Sequence, residues 1–332
     1  MEVLIGGGLA VLPTETMYGV FARADSAAAM ARFRQVTSEA TGAWHAPSVD
    51  DVMAAVGGRG ALSPLHRRLM DKLWPGPVTL LLPKAMTERF TGPSILVHAS
   101  GVMSVRVPDE PVISNVLGRV KVHGAWIAGT AWDRSRMRDG IDAVMDAGPT
   151  RFGQASTQVR LLEDHADGWA IEHDGAMPAW AVREAATRLV LMVCTGNTCR
   201  SPMAQAIARD LLGKSPSAIP TVVQSAGLEA LPGAPMTEEA AQALEREGIC
   251  PHRHSAQRLG DELARRADEI WTMTESHRRQ VNADYPQWAS KVSTIDPKGD
   301  VNDPIGGPLA LYVETARRLR AVIQERLKCL DR

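Results

Sequence analysis

Long apolar runs, cysteines and an excess of either charge are all scarce in this chain of 332 residues, and each scarcity removes a class of protein. No stretch approaches the ~18–20 consecutive apolar residues of a membrane-spanning helix, and Met1-Glu2-Val3-Leu4-Ile5 places an acid where a secretory leader carries basic residues. A cytoplasmic protein with no membrane partner is therefore expected. Four cysteines are too few for a disulfide scaffold, so each is read as an individual thiol in a reducing compartment. The 37 basic and 38 acidic residues nearly cancel, which removes whole-chain attraction to nucleic acid or to an anionic membrane but leaves room for a local basic groove. There is no repeat at a solenoid period and no low-complexity tract.

What is present is enough apolar material, 45% of residues, for two cores. The composition changes near 175–188, where Asp174-Gly175-Ala176-Met177-Pro178 makes a turn-rich exit followed by a stretch that reads as a helix end or a linker. Domains of 1–182 and 188–332 follow. The second opens with Leu189-Val190-Leu191-Met192-Val193, an uninterrupted apolar run that reads as a parallel strand buried on both faces. Ser201-Pro202 then predicts an N-cap and first helical residue, with Met203, Ala204, Ala206, Ile207, Leu211 and Leu212 at helical spacing. Strands over 221–224 and 269–273 and helices over 237–247, 261–267 and 309–330 continue the alternation. That pattern implies an α/β fold with a doubly wound parallel sheet and a site at the carboxyl ends of its strands.

The segment Cys194-Thr195-Gly196-Asn197-Thr198-Cys199-Arg200-Ser201 lies at such an end. A cysteine six positions before an arginine is a weak signal alone, but a loop leaving a buried strand for a helix aims successive amides and the helix dipole into one concavity. Such a cradle suits a tetrahedral dianion. Cys194 is read as a nucleophile whose thiol ionises more readily than a free cysteine at ~8.5, and Arg200 as a two-pronged phosphate clamp that lysine could not replace. Asn197 and Ser201 would orient the loop and the thiolate. Cys250-Pro251-His252-Arg253-His254 lacks a fourth ligand at short spacing, so no metal site is expected there.

Residues 189–330 resemble the low-molecular-weight protein-tyrosine-phosphatase family, through Val193 to Ala204, Ser225-Ala226-Gly227 and Asp303-Pro304-Ile305-Gly306-Gly307 in that order. The resemblance implies a phosphocysteine on Cys194, phosphate held by Thr195, Gly196, Asn197, Thr198, Cys199, Ser201 and Arg200, and no cofactor. It also implies an aspartic acid that protonates the leaving group, Asp303, with Asp296-Pro297 a rival seven residues earlier. Cys199 has two readings, inert packing or a resolving thiol that caps oxidised Cys194, and the resemblance favours the second. Thr198 stands where tyrosine-directed members carry a bulky aliphatic residue, and the loop matches the protein-arginine phosphatases throughout. Thr198 is thus the selectivity residue, with a phosphoarginine protein as first substrate and a phosphotyrosine protein as second.

Residues 1–180 resemble the threonylcarbamoyl-adenylate synthases of tRNA modification, through Leu12-Pro13-Thr14-Glu15-Thr16-Met17-Tyr18-Gly19-Val20, Trp74 to Leu80, Val105-Arg106-Val107-Pro108 and Ser156-Thr157. This implies a twisted, mostly parallel α/β sheet lining a large positively charged cavity. Thr14, Tyr18, Arg34, Thr79, Arg106, Thr130 and Ser156 are the expected pocket residues. Three departures stand out. Arg34-Gln35-Val36-Thr37 has Val36 where the family has an arginine, Thr130-Ala131-Trp132 replaces a serine and asparagine pair, and His173 takes the place of a late arginine. A degenerate domain that binds ATP, another nucleotide or RNA weakly is expected over a second active enzyme.

Overall fold

The computed structural model describes residues 1–132, 140–163, 168–251 and 253–330, which divide into two compact units, Met1–Ala186 and Thr187–Arg332. The stretch read as a helix end or linker is a helix of the first unit, Ala179–Ala186, held by Val182 and Ala186 in that unit's core.

Among the described residues the first unit carries nine strands: β1 Ala10–Pro13, β2 Tyr18–Arg23, β3 Ala43–His45, β4 Val78–Leu82, β5 Met103–Arg106, β6 Ile127–Ala131, β7 Ala143–Val144, β8 Thr157–Leu161 and β9 Trp169–His173. They form one sheet in the order β7-β1-β2-β6-β3-β5-β4-β8-β9. Five of the eight neighbouring pairs are antiparallel and three parallel, so the mostly parallel sheet expected from resemblance is corrected. The reason is partly local. Thr14 closes the link between β1 and β2 by donating its hydroxyl to the Met17 carbonyl at 2.6 Å while accepting from the Thr16 and Met17 amides, and so short a link can only return the chain antiparallel. One sheet face packs with Met30, Phe33, Leu69 and Met70, the other with Ile113, Leu117 and Val120.

The second unit is a parallel sheet of β10 Arg188–Cys194, β11 Thr221–Gly227, β12 Glu269–Thr272 and β13 Val292–Thr294, in the order β11-β10-β12-β13. Every residue of β10 is buried. Val190, Met192 and Cys194 join one core, with Ile207, Leu244, Tyr312 and Leu319 from the helices Arg200–Lys214, Glu238–Arg246 and Leu309–Leu330. Leu189, Leu191 and Val193 join the other, with Ala264 and Val281. Two-sided burial at about 1.5–3 kcal/mol for each large aliphatic is why the run carries no polar alternation. The short strand β13 is an addition to the elements read from sequence.

Candidate active site

Strand β10 ends at Cys194 and the following helix begins at Arg200, with Cys199 as its N-cap. Ser201 and Pro202 therefore sit inside the first turn, which corrects the cap read from sequence. Ser201 is diverted from capping because its hydroxyl lies 3.0 Å from Cys194 Sγ and accepts from Asn197 Nδ2 at 2.8 Å.

Asn197 holds the loop's shape. It adopts a left-handed backbone, φ 56°, which asparagine tolerates better than most residues, and it is fully buried. Its amide donates to Cys194 Sγ at 3.3 Å, its Nδ2 also reaches Ser225 Oγ, its Oδ1 accepts from the Gln257 amide, and its carbonyl meets His254 Nε2 at 2.7 Å. The Leu228 and Glu229 amides cap the carbonyls of Cys194 and Thr195. A Cβ on Gly227 would stand 2.4 Å from the Thr195 carbonyl oxygen, so only glycine fits where β11 meets the loop.

Arg200 donates Nη1 to the Val301 carbonyl at 3.2 Å and pairs through Nη2 with Asp303 in a short contact. The guanidinium is nearly buried, whereas the carboxylate is 38% exposed. Asp296 is elsewhere: it accepts from the Lys298 amide and from Arg318. Thr198 is half-buried, its hydroxyl 3.7 Å from Cys199 Sγ and its carbonyl bound by the Thr237 amide. Cys194 and Cys199 are both buried free thiols, and Cys199 also lies 3.5 Å from Thr237 Oγ1.

Burial pushes the Cys194 thiol upward, and the Ser201 hydroxyl, the loop amides and Arg200 pull downward without reversing it. That direction runs against the readily ionised thiol expected from sequence, and its largest cause is burial: Cys194 is 3% exposed.

Two histidines that serve this loop lie outside the expected site residues. His254 belongs to the Cys250–His254 segment where no metal site is expected; Cys250 is exposed, and His252 lies outside the described residues. His277 Nε2 lies 2.9 Å from Thr195 Oγ1, and its pKa is lowered to about 4 by burial first and by Arg200 second. No motif in sequence marks either one.

The first unit holds a cavity of about 430 Å³ lined by Thr14, Tyr18, Thr79, Arg106, Thr130 and Ser156 among others. Arg34 is not among the lining residues; it is directed to the Ala40 carbonyl at 2.8 Å, which corrects its expected place. Among the described residues the lining is not strongly positive, because Arg106 pairs with buried Glu15 at 2.8 Å and Arg160 with Glu172. His45, also in the lining, is pushed down to about 3 by burial and by Arg106 and stays neutral. Thr79 and Ser156 share a hydroxyl contact of 2.8 Å, and the Tyr18 hydroxyl is engaged by Gly148 and Ala147.

Comparison with known proteins covers both units. Residues 189–332 match the model of the family described as low molecular weight phosphotyrosine protein phosphatase, and residues 2–168 that described as telomere recombination. The protein-arginine-phosphatase of Bacillus subtilis (strain 168) is 32% identical over 148 residues, 43% of this chain and 97% of that protein. The probable low molecular weight protein-tyrosine-phosphatase EpsP of Ralstonia solanacearum is 38% identical over 120 residues, 35% of this chain and 78% of that protein. Among solved structures, the low molecular weight protein tyrosine phosphatase from T. tengcongensis is 38% identical, covering 43% of this chain and 99% of that one with a TM-score of 0.41.

Proposed function

We propose, from the premise that this chain belongs to the low molecular weight phosphotyrosine protein phosphatase family by residues 189–332 and to the family described as telomere recombination by residues 2–168, that it dephosphorylates protein through a phosphocysteine on Cys194. The supporting observation is the convergence on one loop of a nucleophile, an anion cradle and an Arg200–Asp303 pair. An arriving phosphoryl group takes the Arg200 fork from Asp303, and the freed carboxylate, which takes up a proton from solvent on its exposed side, turns to the leaving group. The Cys194 thiolate forms a bond to phosphorus as the bond to the leaving atom breaks, and that atom takes the proton of Asp303. Water then attacks the phosphocysteine, gives its proton to Asp303 and releases phosphate with the thiolate.

The leaving atom is the guanidine nitrogen of phosphoarginine, with phosphotyrosine the second substrate. Relatives of both kinds exist, and Thr198 supports the first: its hydroxyl can pair with a guanidinium, which a phenyl ring would leave unpaired. Thr198→Ile should lower kcat/KM on a phosphoarginine peptide and raise it on the matched phosphotyrosine peptide, shifting the ratio by tenfold or more. A wild type that already prefers phosphotyrosine, or an unmoved ratio, removes the arginine-directed reading.

The first unit is a degenerate synthase-like domain that keeps a pocket for weak binding of a nucleotide or RNA. ATP fits its described lining poorly, since Arg106 and Arg160 are engaged by carboxylates and His45 is neutral, and each charge-assisted phosphate contact forgone is worth about 1.5–3 kcal/mol. Full-length protein given ATP, threonine and bicarbonate should release no pyrophosphate above background. Sustained release that requires threonine would establish a bifunctional enzyme instead.

A further inference from the structure

The phosphate loop is supported on one side by a polar relay that the proposed chemistry does not yet use. Thr274 follows β12 and caps the helix Glu275–Asp284, its Oγ1 accepting from the His277 amide at 3.2 Å. The same Oγ1 lies 2.8 Å from His277 Nδ1, and His277 Nε2 lies 2.9 Å from Thr195 Oγ1. Met273 and Thr272 on this segment are bonded in turn to the Val193 carbonyl and to Thr274, so the relay runs from one buried strand to the residue next to Cys194. His277 is 8% exposed.

We infer that His277 is a positioning residue for phosphoryl transfer, acting through the Thr195 hydroxyl. This rests on the phosphatase reading above. A buried imidazole that stays neutral has one donor and one acceptor, and this arrangement uses both. With the Thr274 hydroxyl donating to Nδ1, the Nε2 hydrogen goes to Thr195 Oγ1, and the Thr195 proton is left free to point into the loop. There it can donate to the Cys194 thiolate or to a phosphoryl oxygen, groups that gain negative charge during the reaction. The charged groups that act on the ring are Arg200, Asp303 and Asp300; the first disfavours an imidazolium and the carboxylates favour it. The hydrogen bond from the Glu229 amide to the Thr195 carbonyl fixes the backbone but not the hydroxyl.

The experiment is a double-mutant cycle on the full chain, with para-nitrophenyl phosphate as substrate and inorganic phosphate as inhibitor. His277→Ala should lower kcat/KM tenfold or more and weaken inhibition by phosphate. Thr195→Val should do the same, and the double variant should lose little beyond either single change, because one interaction is removed only once. His277→Gln, whose amide nitrogen reaches as far as Nε2, should recover most of the loss. A residue that merely packs would give losses that multiply and no rescue by glutamine. Should His277→Ala not fold, Thr195→Val against His277→Gln still decides the matter. Activity of His277→Ala within twofold of wild type, or multiplicative losses, overturns the inference while leaving the phosphatase reading intact. Absence of Cys194-dependent turnover in wild type overturns both.

Discussion

Cys194→Ser should reduce turnover of both aryl phosphate and phosphopeptide to below ~1% of wild type while leaving the fold intact. The size of the loss follows from the atom removed. Sulfur is a strong nucleophile once ionised, and the loop supplies an Asn197 amide, the Ser201 hydroxyl and the charge of Arg200 to favour that form. A serine hydroxyl in the same position offers almost no alkoxide at neutral pH, and among the described residues the groups hydrogen-bonded to Cys194 Sγ, the Ser201 hydroxyl and the Asn197 amide, are not bases able to make it one. Stability should change little, because the substitution keeps volume and a polar atom for Ser201 and Asn197 to meet. Binding of inorganic phosphate, followed by calorimetry, should survive, since amides and guanidinium are untouched. Turnover above ~1% in this variant would mean that another group carries the phosphoryl transfer.

The parts of this molecule that were legible in sequence are those where one physical demand dominates a short segment. Leu189–Val193 must be apolar on both faces, so the run announces a central strand, and the residues that follow it announce a loop aimed at an anion. The same logic failed where the demand is distributed. The direction of strands in the first unit depends on how strands distant in sequence pair, and only the Thr14 turn leaves a local mark. Ser201 reads as an N-cap by position, yet its hydroxyl is claimed by Asn197 and lies against Cys194. His277 is 82 residues from Thr195 along the chain, and one histidine three positions after a threonine carries no signal of its own. The composition of the loop shows what stabilises a thiolate on Cys194 but not how little water reaches the sulfur.

The Arg200–Asp303 pair leads to the second large effect, which separates two aspartates that sequence left in competition. Asp303→Asn should slow hydrolysis of a phosphopeptide by ~10²–10⁴-fold, the span that general acid catalysis supplies when the leaving group is poor. It should slow para-nitrophenyl phosphate far less, because that leaving group departs without a proton. The same change takes a negative charge away from the guanidinium that acts on Cys194, so the thiol should ionise at lower pH. Alkylation by iodoacetamide as a function of pH reads this directly: the midpoint should move down even as turnover falls, a pairing that loss of structure would not produce. Asp296→Asn is the counterpart. Its carboxylate is committed to Arg318 and to the Lys298 amide, and it is 9% exposed, so the variant should lose stability by about 1–3 kcal/mol while its folded fraction keeps its rate. If phosphopeptide hydrolysis instead tracks Asp296 and is indifferent to Asp303, the proton donor is Asp296, and the pairing of Asp303 with Arg200 serves only to hold the arginine in place.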